Sequence, residues 1–138
     1  MAGYSGTPLA RKLGIKAGHR VALVKPPTGF ASELAELPAD VALVAGLRGT
    51  KPFDVILYFV TRRRELLSEF ARVAQHLTPA AGLWVCWPKK ASGKATDLDG
   101  NVVRRAGLDG GLVDNKVCAV NEVWSGLRFV YRLKDRKT

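Results

Sequence analysis

Basic and hydroxyl-bearing side chains follow several of the apolar segments of this sequence, at the positions where those segments stop. Lysine and arginine pair with phosphate oxygens, hydroxyl groups hydrogen-bond to them, and an indole ring can stack on a nucleobase. This combination predicts binding of an anionic ligand, which would be a nucleotide, a phosphate metabolite or a nucleic-acid backbone. The predicted binding residues are Lys25, Thr28, Arg62, Lys89, Lys90, Ser92 and Trp124.

The stretch WPKKASGKATD, residues 87–97, shows the pattern most clearly. An apolar run stops at a proline, two lysines follow, and the small residues ASG form a loop that can approach a ligand closely. Three arginines also open the helix that follows another apolar run, where their charges oppose the helix dipole. The structural alternatives are a solvated first turn, compensated by Glu65 and Glu69, and core positions for Trp87 and Trp124.

Apolar runs alternate with segments of helical periodicity, and these elements must position the polar residues. Strands are predicted at 19–25, 40–44, 53–60, 83–87, 111–121 and 124–133, and helices at 7–14, 31–37, 62–77 and 98–107. Strands that alternate with helices favour a parallel sheet that is covered on both faces. We therefore predict an α/β, Rossmann-like fold with a mostly parallel sheet of about six strands, a C-terminal antiparallel hairpin and helices on both faces.

The carboxyl ends of parallel strands lie at one edge of a sheet, and ligands of open α/β sheets bind outside that edge. The predicted binding residues should therefore lie close together there. If the strand at 111–121 is also parallel, Asn121 and Glu122 reach the same edge. In the final hairpin, Glu122 and Arg128 are predicted to form a buried pair, and the inward positions are predicted to be Val117, Ala119, Phe129 and Tyr131.

Capping and breaking residues predict where the helices begin and end. The predicted N-caps are Thr7, Thr61 and Asp97, and the predicted helix ends are at Gly14, at Pro79 with Gly82, and at Gly107.

The 138-residue chain suits one α/β domain over 1–138, with an N-terminal helical segment at 1–18 and a flexible basic tail at 134–138. Its 22 basic and 12 acidic residues give a net charge of +10, which favours anionic partners, including small molecules and nucleic acid. No secretory signal is visible, and the longest apolar run, at 53–60, is too short to cross a bilayer. We therefore expect a cytoplasmic protein whose two cysteines, Cys86 and Cys118, are reduced core residues.

Catalytic and metal-binding patterns are missing from the sequence. There is no CxxC pair or Cys/His cluster for zinc, and no phosphate-binding GxxxxGK[ST] stretch. The two histidines, His19 and His76, are predicted at the edge opposite the ligand crevice, away from any nucleophile. Asp54 is predicted to be structural. The remaining candidate acids, predicted to be loop or cap residues, are Asp97, Asp99, Asp109 and Asp114.

The order of elements resembles the second half of the Rossmann-like S-adenosylmethionine methyltransferases. The matching segments are FDVI at 53–56, TPAAG at 78–82 and LWVCW at 83–87, followed by the terminal hairpin. The resemblance implies an S-adenosylmethionine site, which needs a glycine-rich turn after the first strand and an acid after the second. Here the first turn is KPPTGF and the second is AGLRGT, so the binding motifs are missing. No cofactor is expected, and S-adenosylmethionine is the one that the fold leaves possible.

Three longer blocks resemble a family of small bacterial proteins that share a domain of unknown function. The blocks are GYSGTPLARKLGI at 3–15, WPKKASG at 87–93 and GLVDNKVCAVNEVWSGLRFV at 111–130. The resemblance implies a whole small protein and brings no activity with it.

Three hypotheses follow from the sequence. The first is a non-catalytic Rossmann-like protein that binds an anionic ligand at the carboxyl edge of its sheet. The second is an enzyme, a transferase on a degenerate methyltransferase scaffold. The third is a structural partner whose basic edge docks an acidic protein.

Overall fold

A computed structural model describes residues 8–136 and contains one six-stranded sheet. The strands are β1 (Arg20–Val24), β2 (Ala42–Ala45), β3 (Phe53–Phe59), β4 (Leu77–Pro88), β5 (Leu112–Ala119) and β6 (Trp124–Tyr131). Their spatial order is β2-β1-β3-β4-β6-β5.

Five of the strands run in one direction. The pairs β1–β2, β1–β3 and β3–β4 are parallel, and β6 is antiparallel to both β4 and β5, so β5 runs with β4. This confirms the predicted α/β fold with a mostly parallel sheet and a C-terminal antiparallel hairpin. The chain moves outward from β1 to β2 and then back to β3 on the other side of β1, which places the topological switch point between β1 and β3.

Helical segments cover both faces of the sheet. The α-helices are α1 (Leu9–Lys12), α2 (Arg63–Ala74) and α3 (Gly100–Asp109), and 3₁₀ turns occur at Phe30–Leu34, Lys90–Ser92 and Leu133–Asp135. One face of the sheet packs on α2 and α3 through Leu66, Phe70 and Val103. The other packs on α1 and the first 3₁₀ turn through Leu13 and Phe30. The helix predicted at 31–37 is thus a short 3₁₀ turn.

Burial and hydrogen bonds attach the surrounding elements to the central strands β3 and β4. All residues of β3 except Asp54 are buried, because helical segments cover both faces of this strand. Asp54 has the structural role that was predicted, since its Oδ2 accepts a hydrogen bond from the backbone N–H of Arg20, with an N···O distance of 2.8 Å. On the other face, the buried indole N–H of Trp84 donates to the carbonyl oxygen of Leu13 at 2.9 Å and fixes α1 on the sheet.

The prediction that Pro79 and Gly82 end the second long helix is wrong, because both residues lie inside β4. The ladder to β3 shifts register there: Leu77 pairs with Phe53, and the next pair is Gly82 with Val55. Pro79 is tolerated because it lies in this irregular stretch, where its missing N–H breaks no ladder bond. A Cβ at Gly82 would contact the guanidinium group of Arg128, which would have to shift to make room for it.

The predicted caps also require correction. Arg62 is the N-cap residue of α2, in place of Thr61. Asp99 is the N-cap of α3, in place of Asp97, and its Oδ1 accepts from Val102 N at 2.9 Å. Helix α3 passes through Gly107 and ends at Asp109. The error at α3 arose because Thr96, Asp97 and Asp99 can all cap a helix, and tertiary contacts bind Thr96 and Asp97 to the loop after β3.

The hairpin differs from its predicted pattern. Phe129 is buried as predicted, but the side chain of Val117 is 67% exposed and Ala119 is also exposed. A register shift between Asp114 and Lys116 changes the alternation along β5. Within residues 8–136 the predicted Glu122–Arg128 pair does not form: the Nη1 of Arg128 donates to Asn115 Oδ1 at 3.3 Å instead.

At the termini, the predicted cap Thr7 lies outside the described residues, and the predicted N-terminal segment contains α1. In the predicted tail, Arg136 Nε donates to Tyr131 O at 3.1 Å after the last 3₁₀ turn. No helix in the described part of the chain has the length and apolar character needed to cross a membrane.

The contact of Gly107 with Phe129 gives a test of this packing. A Cβ at Gly107 would collide with the Phe129 ring, whereas a Cβ at Gly100, on the same helix, would lie 3.9 Å from Trp87 Cζ2. We expect Gly107→Ala to lower the free energy of unfolding by about 1–3 kcal/mol through overpacking. Gly100→Ala should be neutral or stabilising by up to about 1 kcal/mol. Urea denaturation measures both, and equal effects would contradict the packing described.

Candidate anion-binding site at the carboxyl edge

The ends of the strands bring most of the predicted site residues to one edge of the sheet. Val24 pairs with Tyr58, and Tyr58 with Val85, so the loops that follow β1, β3 and β4 leave the sheet side by side. Pro88 pairs with Trp124, which places the β5–β6 turn beside them. The predicted convergence therefore occurs, and the turn that contains Asn121 lies at this carboxyl edge.

The loops that follow β3 and β4 are fixed to each other. Thr96 Oγ1 donates to the carbonyl oxygen of Thr61 at 2.6 Å and accepts from the N–H of Leu98 at 3.1 Å. Asp97 Oδ1 accepts from the N–H of Arg63 at 2.7 Å, so its carboxylate caps α2 from a distant loop. A negative charge at this helix N-terminus is favourable for the helix dipole and offsets the arginines in the first turn.

Lys25 crosses the crevice between the β1 and β3 ends instead of facing an open pocket. Its Nζ lies 2.9 and 2.8 Å from the two carboxylate oxygens of Glu69 and 3.1 Å from Glu65 Oε1, both on α2. Tyr58 OH donates to Glu69 Oε1 at 2.7 Å. The backbone of Lys25 has a positive φ of 53°, a conformation that costs a non-glycine residue about 1 kcal/mol or more. The ion pair therefore holds both the loop and the helix.

This network changes the pKa values of Glu69, Lys25 and Tyr58. Burial raises the pKa of Glu69, but the hydrogen bonds from Lys25 and Tyr58 outweigh burial and leave that pKa below its ordinary value. The hydrogen bond to Glu69 raises the pKa of Lys25, although burial opposes it. Burial, followed by the hydrogen bond to Glu69, raises the pKa of Tyr58. At neutral pH the network thus contains an ionised Lys25–Glu69 pair and a neutral phenol.

Two other predicted residues serve the local structure. Ser92 Oγ donates to Lys89 O at 2.7 Å and accepts from Lys94 N at 3.1 Å, which closes the turn that follows β4. Trp124 is only 6% exposed and packs edge-on against Phe59, with ring centroids 5.1 Å apart. Its indole therefore lies in the core and is not placed as an open stacking surface.

The remaining predicted residues face solvent without a carboxylate partner. Thr28 is exposed in the turn after β1, and Arg62 and Lys90 are exposed after β3 and β4. Lys89 is half-buried beside them, and its N–H donates to Val123 O at 2.7 Å. Among residues 8–136, none of these three cations forms an ion pair. We call Arg62, Lys89 and Lys90 the cationic edge.

Other residues contribute to this region beyond the predicted set. Beside α2 lies a shallow depression of about 590 Å³, lined by Arg63, Arg64, Leu67, Ser68 and Asp97. The arginine run was visible in the sequence, but the position of the Asp97 carboxylate was not, because 34 residues separate it from Arg63. Lys94 also lies in the loop after β4 and is exposed.

No protein-family model matches this sequence, and no curated protein matches it. The resemblance to a bacterial family of unknown function therefore stays a prediction. Solved structures do match the fold, among them the three that follow.

A methyltransferase from Aquifex aeolicus described as SAM-dependent is 16% identical, with a TM-score of 0.56 over 88% of this chain and 86% of that chain. The magnesium protoporphyrin IX methyltransferase of Synechocystis PCC 6803 with bound SAH is 10% identical, with a TM-score of 0.58 over 90% and 78% of the two chains. The fibrillarin pre-rRNA processing protein of Methanococcus jannaschii is 10% identical, with a TM-score of 0.60 over 91% and 69%. These likenesses establish a Rossmann-like, methyltransferase-like fold.

The residues at the two turns that would hold S-adenosylmethionine do not fit that cofactor. After β1, Pro26 and Pro27 lack the N–H donors that a close backbone approach would use, and Lys25 bridges the crevice to α2. After β2, the turn Gly46–Leu47–Arg48–Gly49 has no carboxylate for ribose hydroxyls. The fold is that of the methyltransferases, but the chemistry of these turns differs.

The network at Lys25 predicts a pH-dependent contribution to stability. Glu69 is 18% exposed and Lys25 46%, so Glu69→Gln should lower the free energy of unfolding at pH 7 by roughly 1–2 kcal/mol. Because the folded pKa of Glu69 is lowered from 4.5, its stabilisation is present above about pH 4.5 and is lost as the pH falls through the folded pKa. The difference from the wild type should therefore shrink in acid. Glu65→Gln, at a more exposed position, should cost less, and a pH-independent difference would contradict this account.

Proposed function

We propose that this chain is a ligand-binding protein built on the methyltransferase fold, and that it holds a phosphate-bearing anion at the carboxyl edge. The observation that carries the proposal is the cationic edge itself, whose members have no ion-pair partner among the described residues. The expected ligand is a nucleotide, a phosphate metabolite or a nucleic-acid backbone, and binding involves no catalysis.

The loop backbones that carry these cations are held in place before a ligand arrives. Contacts of Thr96 and Asp97 attach the loop after β4 to the loop after β3. The backbone of Lys89 is bonded to the β5–β6 turn. Little conformational entropy of the loops would therefore be lost when an anion binds, which is the usual advantage of a preorganised site. Arg62 supplies a planar guanidinium that can bind two phosphate oxygens at once.

The other predicted residues have supporting roles in this proposal. Thr28 lies on the loop after β1 and offers a hydroxyl from the far side of the crevice. Lys25 holds that loop against α2, Ser92 shapes the turn that carries the lysines, and Trp124 supports the edge from the core.

A transferase activity on the same scaffold is the second candidate, and the comparisons favour it over a non-catalytic role. Two of the three similar structures are methyltransferases, and one of them contains SAH. The turns after β1 and β2 argue against the usual cofactor position, so the two candidates differ in whether S-adenosylmethionine binds.

Thermal shift and calorimetry with four ligands separate the candidates. A ligand that binds only the folded state adds about 2.7 kcal/mol to the free energy of unfolding at a concentration of 100 Kd. We expect ADP and pyrophosphate to raise the Tm, and S-adenosylmethionine and S-adenosylhomocysteine to leave it unchanged. The reverse result would overturn the proposal and favour the transferase candidate.

The variant Arg62→Gln with Lys90→Gln should weaken ADP binding about tenfold or more, because two phosphate contacts are lost. Lys51→Gln with Lys134→Gln removes the same charge near the opposite edge of the sheet and should leave the Kd within about twofold. Equal weakening by both variants would show that net charge alone controls binding.

A substitution that removes the charge of Asp97 should strengthen ADP binding, in contrast to the loss of Arg62 and Lys90. Asparagine retains a side-chain oxygen that can cap α2 but removes the negative charge beside Arg63 and Arg64. Asp97→Asn should therefore strengthen ADP binding about two- to fivefold. Asp97→Ala should instead cost about 1 kcal/mol of stability through the lost cap. Weaker ADP binding to a fully folded Asp97→Asn variant would contradict the position proposed for the anion.

A further inference from the structure

A second group of lysines lies beside the cationic edge, on the face of the sheet that α1 covers. Lys116 Nζ on β5 donates to Lys12 O at 3.1 Å, and Lys12 Nζ donates to Ala119 O at 3.3 Å, so α1 and β5 hold these two ammonium groups together. We call Lys12, Lys89 and Lys116 the lysine cluster.

The half-buried thiol of Cys118 lies on β5, two residues from Lys116. Burial raises the pKa of this thiol, and the positive charges of Lys12, Lys116 and Lys89 act in the opposite direction. The geometry also places the three residues in one region: Lys12 and Lys116 are bound to each other's segments, and Lys89 N–H donates to Val123 O in the turn that follows β5. Like charges so placed repel one another, and this cost falls when an anion binds between them.

No carboxylate among residues 8–136 forms an ion pair with this cluster. Within the described residues, the acids that form ion pairs are bound elsewhere: Glu65 and Glu69 to Lys25, Asp114 to Arg104, and Asp109 to Arg105. Two acids lie nearer to the cluster. Glu33 accepts from Asn121 Nδ2 at 3.0 Å, and Glu122 is exposed in the β5–β6 turn. Neither of them pairs with a member of the lysine cluster.

Lys89 belongs to both the cationic edge and the lysine cluster, so the two groups meet at the end of β4 and form a surface that passes from the α2 face of the sheet to the α1 face. The surface runs from Arg62, after β3, past the end of β4 and across β6 to Lys116 on β5. This path crosses three inter-strand spacings, roughly 14 Å, and also runs roughly 13 Å along the strands, because Lys116 lies level with Trp84, four residues before Pro88. It is long enough to follow about four phosphates of a stacked strand at about 3.4 Å each.

We infer that the anion held at the carboxyl edge is the phosphate backbone of a nucleic-acid strand, which continues over the lysine cluster. The inference rests on the proposed function and names its ligand class. The tryptophans of this region, Trp87 and Trp124, are 7% and 6% exposed, so they do not provide open stacking surfaces for bases. Recognition therefore acts through phosphates, has little sequence preference and depends steeply on salt.

Fluorescence anisotropy with a labelled single-stranded oligonucleotide of about 12 nucleotides tests this directly. We expect binding to weaken steeply between about 50 and 200 mM salt. The variant Lys12→Gln, Lys89→Gln, Lys116→Gln should weaken binding about tenfold or more, and should lower the slope of log K against log salt by about 2. Replacement of the same three residues by arginine should retain binding, because the charge and not the ammonium group is required.

The matched control removes three charges at the opposite edge, through Lys51→Gln, Arg132→Gln and Lys134→Gln. This variant should bind within about twofold of the wild type. An equal loss in both triple variants would overturn the inference, because net charge would then explain binding. Binding to equimolar phosphatidylcholine–phosphatidylserine vesicles or to polyglutamate, with none to the oligonucleotide, would overturn it in favour of a membrane or an acidic protein.

The two proposals fail separately. If ADP binds with the dependence on Arg62 and Lys90 described above but the oligonucleotide does not, the proposed function stands and this inference is wrong. If neither ligand binds, both are wrong.

Discussion

The burial of β3 on both faces is the constraint on which the rest of this structure depends. Six of its seven residues are apolar or aromatic and buried, so neither face of the central sheet can be left to solvent. The chain must therefore place helical segments on both sides, with α2 and α3 on one and α1 on the other. Right-handed crossovers then bring the carboxyl ends of β1, β3 and β4 to one edge. The convergence of the basic loops follows from this arrangement.

The same edge shows how a fold can be retained while its site chemistry changes. In this chain the crevice at the switch point contains an ion pair between Lys25 and Glu69, supported by the Tyr58 hydroxyl. In the proline-rich turn after β1, Pro26 and Pro27 have no backbone N–H groups that could donate hydrogen bonds to a phosphate or a cofactor. The likeness to methyltransferases therefore concerns the backbone, whereas function depends on the side chains at the edge.

The cationic charge of the edge is only partly compensated. Asp97 offsets the arginines at the start of α2, and the glutamates of that helix bind Lys25. The charges of Lys89, Lys90 and Lys116 have no such partner in residues 8–136. Surface repulsion of this kind lowers stability slightly, and a bound polyanion would remove it. The stable core of buried β-strands is what allows this edge to retain unpaired charge.

The sequence by itself determined the fold class, the strand order along the chain and the edge at which the basic residues gather. The period and length of apolar runs such as 53–60 are properties of local sequence and predict the strands. The carboxyl ends of parallel strands lie at one edge of a sheet, and this rule then places the basic loops. The sequence also located the hairpin, although the register shift at Asp114 altered which side chains of β5 face inward.

Only the tertiary structure decided the partners of individual side chains. The capping of α2 by Asp97, the ion pairs of Lys25 and the burial of Trp124 all join residues that are far apart in the chain. A local pattern shows that Asp97 can cap a helix and that Lys25 can bind an anion. Which amide or carboxylate each one meets depends on how the packed elements bring distant loops together, and no periodicity in the sequence encodes that distance.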